Sequence, residues 1–438
     1  SAGGLLSFIA NTAAIADTAL VSINANVSGD LSITSADSIT IDANVTATGS
    51  DPITITADTD GDGVGDVTIA GTSAATVSSV NGLIDIDGAN ITIGSGATGK
   101  VTTTGVGNID LDAANAITVA ASGEVNAGGA VNIGQENLPL AAPVTVDVNG
   151  SGIVQAVGNI TVDGGTVTVQ IAANVTSTSG NIDLQSRTSD IVLSGNVTAI
   201  GHTVTLNSAA QILDSTNGTT DISARTLNAT AVTGIGTATG DNALDTNVDF
   251  ITASVTGIGP IYILEKDGVT LTSVTTADGL INVETNGNTI ATNVVASGAA
   301  RNVTITADTG DITVGTVTAA GDTATLTASA GSILDDALNT TKITASTVTL
   351  SATGDIGRSG TTNDIDTAAA ILNASSTAAG DIYITEDDAV TLNSVTTASG
   401  SITVKSARAA AGDMTVTTVT AGGDNADVTL QTLNGGGA

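Results

Sequence analysis

The chain repeats itself, and the way the repeat changes length limits what it can fold into. Ile261-Tyr-Ile-Leu-Glu-Lys-Asp-Gly-Val-Thr-Leu-Thr-Ser-Val-Thr-Thr-Ala277 recurs as Ile382-Tyr-Ile-Thr-Glu-Asp-Asp-Ala-Val-Thr-Leu-Asn-Ser-Val-Thr-Thr-Ala398, displaced by about 121 positions. Ile212-Leu-Asp214 returns as Ile333-Leu-Asp335 at the same displacement. Gly310-Asp-Ile-Thr-Val-Gly-Thr-Val-Thr-Ala-Ala-Gly-Asp322 matches Gly412-Asp-Met-Thr-Val-Thr-Thr-Val-Thr-Ala-Gly-Gly-Asp424, where the displacement is only about 102. The second copy has lost roughly 19 residues between flanks that still match. A closed barrel or a sandwich would lose strands to such a deletion and break its sheet. A solenoid loses one coil, and the coils on either side close up. The expectation is a single continuous β-solenoid over 1–438, with long internal repeats at about 200–320 and 321–438.

The local pattern agrees. Ile39-Thr-Ile-Asp42, Ile53-Thr-Ile-Thr56, Ile160-Thr-Val-Asp163, Val303-Thr-Ile-Thr306 and Val348-Thr-Leu350 alternate apolar and polar residues and are rich in β-branched types. Gly, Asn, Asp and Ser punctuate them, which is the signature of short strands joined by tight turns. Strand-like segments such as Val303–Thr306 and Ala324–Thr327 lie about 20 apart, so coils of about 19–25 residues are expected. The chain is 41% hydrophobic but only 1% aromatic, the rings being Phe8, Phe250, Tyr262 and Tyr383. A core of Val, Ile, Leu and Ala implies a narrow, uniform interior. Four rings cannot furnish the girdles of a membrane barrel, nor the ring cores of tandem immunoglobulin-like sandwiches. The fold class is therefore all-β, a parallel β-helix.

Nine Lys and Arg stand against 43 Asp and Glu, giving a formal charge of −34. Phosphate neutralisation needs basic patches, so nucleic acid is not an expected partner, and an anionic membrane surface is disfavoured for the same reason. No apolar run is long enough for a membrane helix, and no membrane insertion is expected. The absence of cysteine excludes disulfides and thiolate chemistry. Ser1-Ala2-Gly3-Gly4 lacks Met and a charged n-region and reads as the start of a processed or excerpted chain. Neither end reads as a polar cap. Self-association, end to end or lateral into a filament, is the expectation for an uncapped solenoid.

Gly180-Asn-Ile-Asp-Leu-Gln185, Asn196-Val-Thr-Ala199 and Asn302-Val-Thr-Ile-Thr-Ala-Asp-Thr-Gly-Asp-Ile-Thr-Val314 resemble the repeat regions of filamentous-haemagglutinin-like exoproteins. These are large adhesins of Gram-negative bacteria, often exported by two-partner secretion. The similarity is compositional and periodic and spans nearly the whole chain. It implies a right-handed parallel β-helix with coils near 19 residues, a place outside the cell or on the bacterial surface, and a structural or adhesive role. The family's secretion domain carries Asn-Pro-Asn motifs. This sequence has none, so the secretion route does not carry over.

The sharpest local motif is Asp58-Thr-Asp-Gly-Asp-Gly-Val-Gly-Asp66. Asp58, Asp60, Asp62 and Asp66 stand at positions 1, 3, 5 and 9 of a calcium loop, with Gly63 at 6 and the Val64 carbonyl at 7. The run resembles the Asp-rich loops of thrombospondin type 3 and dockerin modules. Ile69 replaces the closing carboxylate. The expectation is a weak, structural Ca2+ site; the plainer reading is a Gly/Asp turn between two strands. For catalysis, the paired aspartates are Asp335-Asp336 and Asp387-Asp388, and both read better as corner residues than as an acid/base pair. His202 aligns with Asp322 of the next repeat, an exposed turn position rather than a base. Thr-x-Thr units such as Thr316-Val-Thr318 and Thr415-Val-Thr417 suit outward strand positions better than an ice-binding array. Triplets such as Asn44-Val-Thr46 and Asn196-Val-Thr198 could accept glycans in a suitable host. The functional expectation is a non-enzymatic surface rod or filament. The alternatives are an adhesin module for cell-surface glycans or for receptors on host or neighbour cells, and behind it a polysaccharide-degrading β-helix.

Overall fold

Each short alternating segment forms a strand because its β-branched residues fill one side of a pleat while Thr, Asn or Asp face water. A computed structural model describes residues 6–10, 19–20, 25–27, 29–59, 64–134, 145–169, 173–215, 221–239, 242–299, 301–338, 342–360, 362–406 and 413–432. Among them there are strands and turns and no helix, and the strand pairs are parallel. The protein is a parallel β-solenoid, with two compact units, Ser1–Arg225 and Thr226–Ala438.

In the first unit three stacks of inward side chains run from coil to coil. One is Leu31, Ile53, Ile84, Ile109, Val131, Ile160, Ile182 and Val204. A second runs from Ile39 through Val67, Ile91 and Ile117 to Ile212, and a third from Val45 through Val77, Val101 and Val125 to Val197. These side chains are buried, each worth about 1.5–3 kcal/mol relative to exposure. Coil length is read from partners in register. It is 22 residues from Leu31 to Ile53 and 25 from Ile84 to Ile109, but 31 from Ile53 to Ile84 and 29 from Val131 to Ile160. The longer coils carry their surplus between strands Ile53–Thr56 and Val67–Ile69, and between Val131–Gly134 and Thr145–Val148.

In the second unit one stack is Ile261, Ile281, Val303, Ala324, Val348, Leu372 and Leu392. The next is Val269, Thr289, Ile312, Ile333, Ile356, Ile382, Ile402 and Val428. Ile261 and its counterpart Ile382 thus occupy different stacks. The 121-residue repeat is not a whole number of coils, and the second copy of the motif is turned onto the neighbouring face. The lost length is also visible. Leu271 stacks on Ala291 and Ala291 on Val314, whereas Leu392 stacks directly on Val416, the counterpart of Val314. One coil is absent, and the strands on either side keep their register.

One corner of this unit is built from a recurring Gly-Asn, Gly-Asp or Gly-Ser pair. The Asn288 carboxamide accepts the Asp311 N–H at 2.9 Å, and Asp311 accepts the Ser332 N–H at 2.8 Å. Ser332 then takes the Asp355 N–H at 3.0 Å, Asp355 that of Asp381 at 3.0 Å, and Asp381 that of Ser401 at 2.7 Å. Ser401 closes the run on Asp427 at 3.2 Å. Six bonds therefore climb the corner in one direction, each worth about 0.5–1.5 kcal/mol. The preceding residue is Gly because the corners crowd: a Cβ on Gly380 would lie 2.2 Å from the Gly354 carbonyl oxygen. Buried Ser and Thr at strand ends satisfy the same turns. Thr276 donates to the Gly279 carbonyl and Thr397 to that of Gly400, both at 2.6 Å.

Coils should be removable one at a time. Deleting 281–302 brings Val303 into the place of Ile281 and Ile312 into that of Thr289. The shortened protein is expected to keep its far-ultraviolet circular dichroism per residue and a single cooperative unfolding transition. Loss of β signal would contradict a modular stack.

Candidate functional site

The acidic side chains converge most closely on one outward face of the first unit. Strands Ile84–Ile93 and Ile109–Val119 pair with Asp85 opposite Asp110 and Asp87 opposite Asp112. One carboxylate oxygen from each of Asp85, Asp87 and Asp112 lies within 4.8 Å of the other two, and Asp112 is only 6% exposed. Thr56 donates its hydroxyl to Asp87 Oδ2 at 3.2 Å, and Asn132 Nδ2 donates to Asp110 Oδ1 at 2.8 Å, so the ladder continues on both sides. Burial, reinforced by the charges of Asp87 and Asp110, pushes Asp85 up to about 6. Asp87 is raised mainly by burial, partly offset by the Thr56 hydroxyl. Such an arrangement can gather oxygen ligands for a hard divalent cation or take up a proton in mild acid.

A second acidic group lies in the second unit. Asp366 is pushed up to about 6 by burial and then by Asp364, Asp335 and Asp387, with Lys342 opposing. Lys342 pairs with Asp387, and Lys405 Nζ lies 3.7 Å from Asp364. Elsewhere Lys100 pairs with Glu124, Arg187 with Asp163 and Arg301 with Asp322, each across neighbouring coils. These five basic side chains are thus matched by carboxylates, and with 43 Asp and Glu against nine Lys and Arg the excess charge is acidic.

The sequence-derived positions fall as follows. Asp60 and Asp62 of the expected calcium loop lie outside the described residues. Asp58 adopts a left-handed backbone with φ of 56° and comes against Gly65, where the loop closes. Asp66 Oδ1 accepts Asn90 Nδ2 from the next coil at 2.7 Å. Val64 is exposed. Asp335 and Asp336 accept the N–H groups of Ala337 and Leu338, as corner aspartates do. His202 is half-buried at a bend within strand Asn196–Ser208, beside Gly201 with φ of 79°. Sequence reasoning passed over Asp85, Asp87, Asp110 and Asp112. Their signal was present as Ile84-Asp-Ile-Asp87 and Ile109-Asp-Leu-Asp112, one coil apart.

No protein-family model, curated protein or solved structure matches this chain.

Asp85 has a folded value near 6 against 3.8 in an unfolded chain. Its favourable contribution is complete below pH 3.8 and lost as pH rises through 6. Asp85→Asn is therefore expected to raise the unfolding midpoint above pH 7 and to leave it nearly unchanged at pH 4. The gain should be roughly 1 kcal/mol, solvent screening of this half-buried position keeping it small. Denaturant melts at the two pH values measure it, and an equal effect at both would contradict the assignment.

Proposed function

We propose that the protein is a secreted structural or adhesive element of a bacterial surface, working as an elongated rod or extracellular filament. The observation that carries this reading is the loss of one coil between Leu392 and Val416 while the flanking register is kept. A chain that tolerates change in whole coils is suited to setting a length and is a poor frame for a catalytic constellation. The exterior supports the same reading, with half-exposed threonines stacked as Thr304, Thr325 and Thr349 and an acidic surface. Parallel stacking has no built-in stop, since every coil offers the next the same main-chain donors and acceptors. Self-association into filaments belongs to this reading, as does a structural calcium ion at Asp58–Asp66. The acidic surface has no evident complement for nucleic acid.

Negative-stain electron microscopy of the purified chain, with immunogold labelling of intact producing cells, tests it. Rods or filaments and label at the cell exterior are expected. Label confined to the cell interior would overturn the localisation. Turnover of acidic or neutral polysaccharides, abolished by Asp85→Asn or Asp366→Asn, would replace the structural role by an enzymatic one.

A further inference from the structure

Two glutamates lie inside the second unit. Glu265 and Glu386 are both 0% exposed and hold the same place in the two copies of the repeat, although their copies face different ways. Thr246 donates its hydroxyl to Glu265 Oε2 at 2.6 Å. The Val248 N–H reaches both carboxyl oxygens at 3.2 Å, and the Asp267 N–H reaches Oε1 at 3.3 Å. The second site repeats this. Thr367 donates to Glu386 Oε2 at 2.6 Å, and the N–H groups of Ala369 and Asp388 reach Oε1 at 2.9 and 3.1 Å.

Both carboxyls sit where an inserted segment rejoins the sheet. Ile235 is opposite Ile261 and Leu244 opposite Ile263, so positions 236–243 are set against the single residue Tyr262. Ile356 is opposite Ile382 and Ile365 opposite Ile384, so 357–364 are set against Tyr383. Each insertion leaves the stack at a glycine with positive φ, 64° at Gly236 and 67° at Gly357. Each returns through the Thr and the N–H that the glutamate holds. The carboxyl therefore ties the returning strand to the next coil at a corner that no apolar residue could satisfy.

We propose that Glu265 and Glu386 are twin proton-operated locks on these return points, mild acid tightening the second unit and neutral to alkaline conditions loosening it there. As a neutral acid, Glu265 donates to Thr246 Oγ1, and the freed hydroxyl proton turns to the Leu264 carbonyl oxygen, 3.5 Å away. Oε1 still accepts the N–H groups, and no charge is buried. As a carboxylate, the group keeps its three donors but carries a charge among apolar stacks. Burial raises both groups to about 7 against the donors' opposing effect. The ionisable residues on the elements around Glu265 are Asp245, Asp249, Tyr262, Lys266, Asp267 and Glu284; of these Asp267 adds to the rise. Around Glu386 they are Asp364, Asp366, Tyr383, Asp387, Asp388 and Lys405, with Lys342 on Asp387; Asp388 adds to the rise. Since the folded value exceeds the unfolded 4.5, the stabilisation is complete below pH 4.5 and disappears as pH rises through about 7.

Glutamine copies the neutral acid here, its carbonyl accepting the N–H groups and its amide donating to the threonine. Thermal unfolding of wild type and of the Glu265→Gln/Glu386→Gln double variant, from pH 4.5 to 8, tests the lock. The wild-type midpoint should fall across that range. The double variant should fall less than wild type between pH 5 and 7.5, keeping the part that belongs to Asp85 and Asp366, and should melt above wild type at pH 8. An equal fall, or a double variant melting below wild type at pH 8, overturns the proposal. The unaltered protein gives a second reading, since it has five glutamates, Glu124, Glu136, Glu265, Glu284 and Glu386. With 13Cδ-labelled glutamate, two resonances should titrate near pH 7 and vanish with the single Gln variants. Completion of all five titrations below pH 5.5 would also overturn it.

Discussion

Everything in this molecule follows from coils paired in parallel and in register. A strand in such a stack is satisfied only when the coils on both sides place matching donors and acceptors against it. Like residues then meet like residues, Ile on Ile and Thr on Thr, at a spacing of about 4.8 Å. That spacing explains the near absence of rings: a narrow interior filled from every coil favours Val, Ile, Leu and Ala. It also explains the corners, where glycines let main chains crowd and the side chains from Asn288 to Ser401 carry the bonding upward between strands.

The parts of this fold that depend on local pattern were legible in the sequence. Val303–Ala307 and Ile382–Glu386 alternate cleanly and form strands. The missing coil could be read because a deletion of one whole coil leaves the register of its flanks intact. The turn of the second copy onto a neighbouring face could not. It depends on the summed lengths of coils that differ by several residues, and segments such as 236–243 add length without any periodic mark. The cluster of Asp85, Asp87 and Asp112 was hidden for the same reason, since its members meet only once the 25-residue coil between Ile84 and Ile109 is known. The buried glutamates were within reach. In Ile261-Tyr-Ile-Leu-Glu265 the two-residue period that puts Ile261 and Ile263 inside also puts Glu265 inside. At Asp58–Asp66 the sequence shows the spacing of the carboxylates, and the structure adds that Asp66 accepts a hydrogen bond from Asn90 on the next coil.

The polar groups divide by depth. Outward carboxylates such as Asp163 and Asp387 are matched to Arg and Lys on nearby coils, which limits repulsion in a chain of charge −34. Inward Ser and Thr are spent on turns. Between these lie the groups whose burial raises them toward neutrality, Asp85 and Asp366 on the outside and Glu265 and Glu386 within. They make the stack responsive to mild acid through carboxyl groups, where histidine is the usual side chain for that range.

The central claim is the parallel, in-register stacking, and nitroxide labels test it most directly because the chain has no cysteine of its own. Cysteines at Thr304 and Thr349, outward on the same face with Thr325 between them, should carry labels about 10 Å apart, two strand spacings. Adding a third label at Thr325 should broaden the continuous-wave spectrum strongly. Sharp, non-interacting spectra from the triply labelled protein, or a Thr304–Thr349 separation beyond about 20 Å, would contradict the stack.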